Sequence, residues 1–470
     1  MKKYFLPFVV ASAVFCSCSK EFLEQQPISN VATTNFFRTQ TDFQQALTGA
    51  YNGLLSTGVF TEFYNFAEIP SDNVLKLGTG TDIQLQFSQF SVDATNPYLS
   101  RAWNDHYAVI QRLNTVLSRI DAASFDATAK KRIVAEAKFL RALMYFNLVR
   151  IFGPVPLSTT EVTTVSQAAQ YERTPTNEVY AQIIKDLSES EVDLPKQVPA
   201  DYGRATRGAA KSLLGKVYLT QRNWQAAANK LKEVIDLNDY SLVPEYASLF
   251  QTSTENNSEV IFAAQYQAGL FPNSFPQWFS PLGSSVFGGV GRGDFTVTAE
   301  MANSYEPNDK RKAASIDSMN TTTTGLVRYT KKYAEGYNNS GTNWIVLRYA
   351  DVLLMYAEAL NELGYVTNGP AFTYYNLVRQ RAGLPPRTST TLPDQASFRV
   401  AVEQERRIEL AYEGHRWFDL VRTNRAVAVI NSKRDVLNIP QPITQTNLLF
   451  PVPQDQILLN PSRITQNPGY

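Results

Sequence analysis

Apolar residues recur at helical spacing along most of this chain. Phe43, Ala46, Leu47, Ala50 and Tyr51 predict a first helix over 41–55, with Asp42 early in it. Trp103, Tyr107, Ile110, Leu113, Asn114 and Leu117 line one stripe of a second, over 101–120. A third spans 129–152, with Asp126 or Thr128 as its cap and Gly153-Pro154 as its stop. Phe139, Leu140, Leu143, Met144, Phe146 and Leu148 crowd most of its surface, so this helix must be wedged between others. Helices are also expected over 176–192, 206–221, 224–237, 347–363, 371–382 and 397–412.

The pair 206–221 and 224–237 meets at a tight turn, Arg222-Asn223. Leu214, Gly215, Tyr218, Trp224, Ala227 and Leu231 fit the spacing of a tetratricopeptide repeat, where small residues let two helices approach and large ones fill the gaps. Residues 239–345 break the pattern. Gly, Ser, Thr, Asn and Pro dominate there, aromatics are interleaved, and only a short strand near 259–265 is expected. A loop-rich insert of that length is usually functional or disordered, and its aromatic content argues against disorder. The predicted fold is therefore mainly α, a tetratricopeptide-like helix-pair scaffold with a long loop-rich, aromatic-rich insert and few short strands. One domain over 18–470 is expected, with scaffold at 41–237 and 346–430, the insert at 239–345 and an extended, proline-punctuated tail at 440–470.

The first residues change the picture. Lys2 and Lys3 precede a mostly apolar run from Tyr4 to Phe15, too short to span a bilayer, as in a secretory signal. The chain's two cysteines, Cys16 and Cys18, follow at once. Ser17 places a small residue before Cys18, as a bacterial lipoprotein signal does, so residues 1–17 are expected to be removed and Cys18 acylated (a palmitate-type anchor). A plain signal peptide, or a buried N-terminal helix with incidental thiols, is the alternative. On the lipoprotein reading the protein is tethered to a membrane and never threaded through it. No thiol is then left for a disulfide framework. Charge is balanced at +1, with no basic face for nucleic acid.

Catalytic chemistry is thinly supplied. His106 and His415 are the only histidines. No HExxH, phosphate-binding loop, GxSxG or calcium-loop motif occurs, and no cofactor or metal is expected. The stretch 288–293 lacks dinucleotide-fingerprint spacing and reads as a flexible loop; Arg292-Gly293-Asp294 spells an adhesion tripeptide too short to count.

Near the C-terminus stand Glu405-Arg406-Arg407-Ile408-Glu409-Leu410 and Glu413-Gly414-His415-Arg416-Trp417-Phe418-Asp419-Leu420-Val421-Arg422. The chain closes with Phe450-Pro451-Val452-Pro453 and Gln466-Asn467-Pro468-Gly469-Tyr470. Earlier come Ala137-Lys138-Phe139-Leu140-Arg141-Ala142, Phe152-Gly153-Pro154-Val155-Pro156-Leu157, Gly203-Arg204-Ala205-Thr206 and Leu347-Arg348-Tyr349-Ala350-Asp351. In this order they resemble the SusD/RagB family of Bacteroidetes outer-membrane lipoproteins. That resemblance implies four tetratricopeptide-like helix pairs with loops forming the ligand face. It implies a cell-surface, non-enzymatic protein that captures oligosaccharides, or in some members peptides, and delivers them to a TonB-dependent, SusC-like transporter barrel.

Arg406, Glu409, Arg416 and Asp419 read as buried ion pairs fixing helix ends, and Trp103 and Trp417 as core. Sugar binding needs flat apolar faces and nearby polar groups, which loops supply without disturbing a scaffold. Two loop regions, 68–100 and 266–345, hold such residues. Asp72, Asn96, Tyr98, Trp278 and Tyr337 are the expected ligand contacts. A peptide-capturing member of the same architecture is the first alternative; of a different class are a helical scaffold for other proteins and a surface glycosidase, which requires two carboxylates a few ångströms apart in a cleft.

Overall fold

A computed structural model describes residues 36–77, 82–196, 201–321, 325–333, 335–336 and 339–470. Cys18 and Tyr337 lie outside these. The fold is mainly α, as the periodicity predicts.

Helices begin where side chains can satisfy their free N–H groups. Thr39 and Asp42 form a capping box on Gln40–Asn52. Asn96 caps Pro97–Arg119, Asp126 caps Ala127–Phe152, and Thr206 caps Arg207–Thr220. Gly153 ends the 127–152 helix at φ 73°, a conformation that costs glycine little.

Packing runs in sequence order. The 97–119 helix lies on 127–152, which lies on Thr176–Asp193, then Arg207–Thr220, Trp224–Asp236 and Tyr349–Leu363. Pro370–Arg381 and Gln395–Glu409 close on the last of these. Within the 207–220/224–236 hairpin, a Cβ on Gly215 would lie 2.6 Å from Leu231 Cδ2, so only glycine admits this approach. Seventeen residues of the 127–152 helix are buried, among them every apolar residue from Phe139 to Phe152, which is the wedging its sequence predicts. One hydrophobic cluster runs from Phe43 to Ile464.

The insert is more ordered than its composition suggests. It contributes β4 (Val260–Ala264), β5 (Phe295–Val297), β6 (Ile316–Thr321), β7 (Gly325–Thr330) and β8 (Trp344–Arg348); before it lie β1 (Val74–Lys76), β2 (Val155–Pro156) and β3 (Arg173–Thr174). All four pairings are two-stranded and antiparallel: β1–β5, β2–β3, β4–β8 and β6–β7. Leu347 and Arg348, expected to open a helix, instead end β8, and the helix starts at Tyr349.

The charged C-terminal motif is internal, as expected. Arg348 Nη1 meets Glu259 at 2.9 Å and Glu409 at 2.6 Å, while Nε meets Glu413 at 2.7 Å. Arg311 binds Asp309, Glu405 and Glu409. Arg406 bridges Asp351 at 2.7 Å and Asp419 at 3.0 Å. Trp103 and Trp417 are core.

Candidate functional site

Two loop regions more than 200 residues apart meet along β1 and β5. The register pairs Val74 with Val297, Leu75 with Thr296 and Lys76 with Phe295. The Leu77 N–H extends the ladder to the Asp294 carbonyl at 2.8 Å. Beside this seam the Lys76 ammonium, fully buried, lies 2.5 Å from Asp82 and 3.2 Å from Asp294. Asp294 in turn accepts from Arg292 Nε at 2.7 Å. The adhesion tripeptide is thus folded on itself, its two charges paired with each other.

Arg292 is half exposed, and its guanidinium lies 4.1 Å from the Trp278 ring centroid. Beneath Trp278 is Tyr64, 5.9 Å away, which also touches Phe275, Phe279 and Phe295. The Trp278 indole N–H is buried without a hydrogen-bond partner. Tyr98, half-buried, packs its edge on Phe87 and lies 5.0 Å from the Arg101 guanidinium. Arg101 makes two hydrogen bonds to Glu62, at 2.8 and 2.6 Å. Burial outweighs Arg101 and raises the Glu62 carboxyl to about 7. Burial, then the Glu62 charge, pushes the Tyr98 phenol up to about 12. Arg292 and Asp82 also act electrostatically on Tyr98, so both loops face one patch.

Ile83, Leu282, Val286 and Val290, in the same two loop regions, are exposed. A Cβ on Gly291 would fall 2.0 Å from the Pro281 carbonyl oxygen, so glycine is what lets the 282–291 excursion fold back tightly. The patch sets the half-buried Tyr98 ring, the exposed Arg292 guanidinium over the buried Trp278 ring, and carboxylates side by side, the groups a polyhydroxylated ligand requires.

The structure separates the expected contacts. Tyr98 and Trp278 belong to this patch. Asp72 does not: it is fully buried, with Arg416 Nε at 2.8 Å, Lys433 Nζ at 2.6 Å and Arg407 Nη2 at 3.1 Å. Burial alone would raise its pKa, but Arg416, Arg407 and Lys433 hold it well below the usual carboxylate range. Asn96 is likewise consumed. Its Oδ1 accepts from Tyr98 N, and its Nδ2 donates to the Ile83 carbonyl and to Gln86. Both are corrected from ligand contacts to structural ties, because their polar atoms are already matched inside the fold. Sequence reasoning did not find Lys76, Asp82, Glu62, Tyr64 or Arg101, since their common neighbourhood arises from tertiary pairing.

The histidines are structural. His106 Nδ1 lies 2.7 Å from the Ala102 carbonyl, and burial lowers its pKa to about 4. Among the described residues no group of three His, Cys, Asp or Glu side chains could hold a metal ion, and no helix is long and apolar enough to cross a membrane.

Residues 298–470 match the model of the SusD family, and residues 21–219 match that of a family described as starch-binding associating with outer membrane. The chain is 30% identical to SusD-like protein P25 of Formosa agariphila, over 95% of each chain. It is 29% identical to SusD-like protein P2 of the same organism, over 100% of each. Among solved structures, a laminarin binding SusD-like protein superposes with a TM-score of 0.78 at 28% identity, over 92% of this chain and 100% of that one. A SusD superfamily protein from Parabacteroides distasonis gives 0.78 at 29% identity, over 92% and 99%.

Proposed function

The chain belongs to the SusD family, and from that premise we propose that it is a lipid-anchored outer-membrane protein that captures carbohydrate at the Tyr98–Trp278 patch and passes it to a TonB-dependent transporter barrel. The observation that carries this reading is the β1–β5 seam. It sets Tyr98, Trp278, Arg292, Asp82 and Asp294 on one face, in a fold that a laminarin binding relative shares. One family model is itself described by starch binding and outer-membrane association.

Capture would proceed by exchange. Arg292 now covers one face of Trp278, so a sugar ring that stacks there displaces the guanidinium, which remains close enough to donate to ring hydroxyls. The unpartnered indole N–H gives a further donor. Tyr98, held by Asn96 and Arg101, supplies a second ring surface and its phenol, which remains protonated at neutral pH. The carboxylates Asp82 and Asp294, both ion-paired with Lys76, are placed to accept hydrogen bonds from ring hydroxyls. Tyr337 belongs to the same loop region and is proposed as a further contact. Cys18 carries the acyl anchor.

The test is binding of the protein to an array of polysaccharides, oligosaccharides and peptides, with product analysis on the same samples. Binding of one glycan class, uncut and lost on Trp278→Ala with unchanged thermal stability, supports the assignment. Retained binding in that variant removes the site. Peptide-only binding reassigns the ligand, cleavage overturns the non-enzymatic reading, and failure to co-purify with a transporter barrel removes the delivery step.

A further inference from the structure

A cavity of about 270 Å³ shares no lining residue with the carbohydrate patch. Its walls come from the 127–152, 207–220, 349–363 and Arg416–Arg422 helices, and it is lined by Arg150, Tyr180, Lys216, Arg406, His415, Asp419 and Arg422, among others. The volume equals that of about nine water molecules, enough for one small ion with its hydration.

The charges here do not close. Lys216 and Arg406 share Asp351 at 3.0 and 2.7 Å. Arg406 and Arg422 share Asp419 at 3.0 and 2.8 Å, and Arg422 reaches Glu358 at 2.5 Å. Three cations therefore face three carboxylates. Arg150 is a fourth cation, and among the described residues no carboxylate lies within salt-bridge distance of it. Its guanidinium is held instead between the Phe146 and Phe418 rings, at 4.0 and 4.2 Å, with hydrogen bonds only to the Phe146 carbonyl and Asn147 Oδ1. His415, whose Nδ1 lies 2.9 Å from Lys216 Nζ, does not change the balance. Burial, then the Lys216 charge, lowers its pKa to about 3, so the ring is neutral. The neighbouring buried network around Arg311, Arg348, Arg379, Arg381 and Lys332 is by contrast rich in carboxylates.

A half-buried cation without a counter-ion has lost part of its hydration, and a guanidinium in a polar cavity is the group best shaped to recover that cost by binding an oxyanion through two hydrogen bonds. The Tyr180 phenol, which lines the same space and is kept protonated by burial, adds a neutral donor. We propose that this cavity is an anion site in which Arg150, with Lys216 and Tyr180, holds one small oxyanion of sulfate, phosphate or carboxylate type. Such an ion would complete the local charge balance and tie the 416–422 helix to the 127–152 and 207–220 helices. This inference does not depend on the carbohydrate reading.

The experiment is calorimetric titration of the full-length protein in detergent with sulfate, phosphate, acetate and glucuronate, each at matched ionic strength against chloride. Saturable one-to-one binding of at least one of them, weakened about tenfold or more by Arg150→Met, is expected. Sulfate or phosphate as the tightest ligand identifies a free inorganic ion, and glucuronate as the tightest identifies an acidic sugar. No saturable binding to any of the four, or equal binding by the variant, overturns the site. If the variant does not fold, selenate-soaked crystals of the wild-type protein decide. An anomalous peak within hydrogen-bond reach of Arg150 supports the site, and an empty cavity overturns it.

Discussion

Asp72→Asn distinguishes a structural carboxylate from a ligand contact. The side chain is fully buried and faces Arg416, Arg407 and Lys433 at 2.6–3.1 Å. In the variant Arg407 keeps Glu300 at 2.7 Å and Lys433 keeps it at 3.0 Å, while Arg416 keeps only Glu403 at 3.3 Å. Breaking a buried pair costs about 3–5 kcal/mol, and asparagine retains one acceptor oxygen, so the low end applies, about 3 kcal/mol. Spread over the unfolding entropy of roughly 450 residues, about 0.9 kcal/mol/K, that is a fall in Tm of about 3 °C. Urea denaturation should show the lower midpoint at unchanged slope. Asp72 is held below its free value of 3.8, so its contribution is fully present above that value and is lost only as pH falls through the still lower folded value. The gap between wild type and variant is therefore constant from about pH 5 to pH 8 and narrows only in strong acid. Equal stability of the two proteins, with glycan affinity lost in the variant, would refute the reasoning and restore Asp72 to the binding site.

Other outcomes follow from single features. Burial raises the Glu68 carboxyl to about 7, from 4.5 when free, and its Oε2 has no partner. Between those values the folded protein binds more protons, so stability falls as pH rises, by up to about 3 kcal/mol for this group. Glu68→Gln should flatten the slope measured by denaturation at pH 5, 6.5 and 8, and an unchanged slope would count against it. Gly215→Ala places a methyl against Leu231 and should cost about 1–3 kcal/mol. Adding Leu231→Ala should make the total less than additive in a double-mutant cycle, whereas strict additivity would show that the two do not touch. Cys18→Ala should move the protein from the membrane fraction to the soluble fraction and abolish labelling by a palmitate analogue; continued membrane attachment would remove the anchor assignment.

The helical scaffold was legible because its signal is local. Residues three and four apart report burial directly, and the 129–152 and 224–237 readings fall within two residues of the helices found. The insert was not legible in the same way. β1 and β5 are three residues each and find partners more than 200 positions away, so no periodicity betrays them. The β6–β7 hairpin, rich in Ser, Thr, Asn and Gly, has the composition of a loop. The same distance effect explains Asp72, whereas Asn96, whose partners are the nearby Ile83, Gln86 and Tyr98, is the N-cap of the helix that Pro97 opens, a local signal left unread. Polar residues in an irregular stretch read as exposed, whereas Arg416, which pairs with Asp72, lies 344 positions on. That Trp278 and Tyr98 are aromatic residues in irregular stretches was legible, but the guanidinium covering Trp278 was not.

The reach of those ion pairs bears on when the chain can fold. Glu68 waits for the Tyr412 N–H, Asp72 for Arg407, Arg416 and Lys433, Arg348 for Glu409 and Glu413, and Asp351 for Arg406. A polypeptide emerging from its N-terminus therefore carries uncompensated charges destined for its interior until its last 70 or so residues arrive. Folding early would mean burying them bare, at several kcal/mol each. The last stretch of sequence is thus the keystone of the interior, and a chain cut short before it would lack the partners its buried charges need.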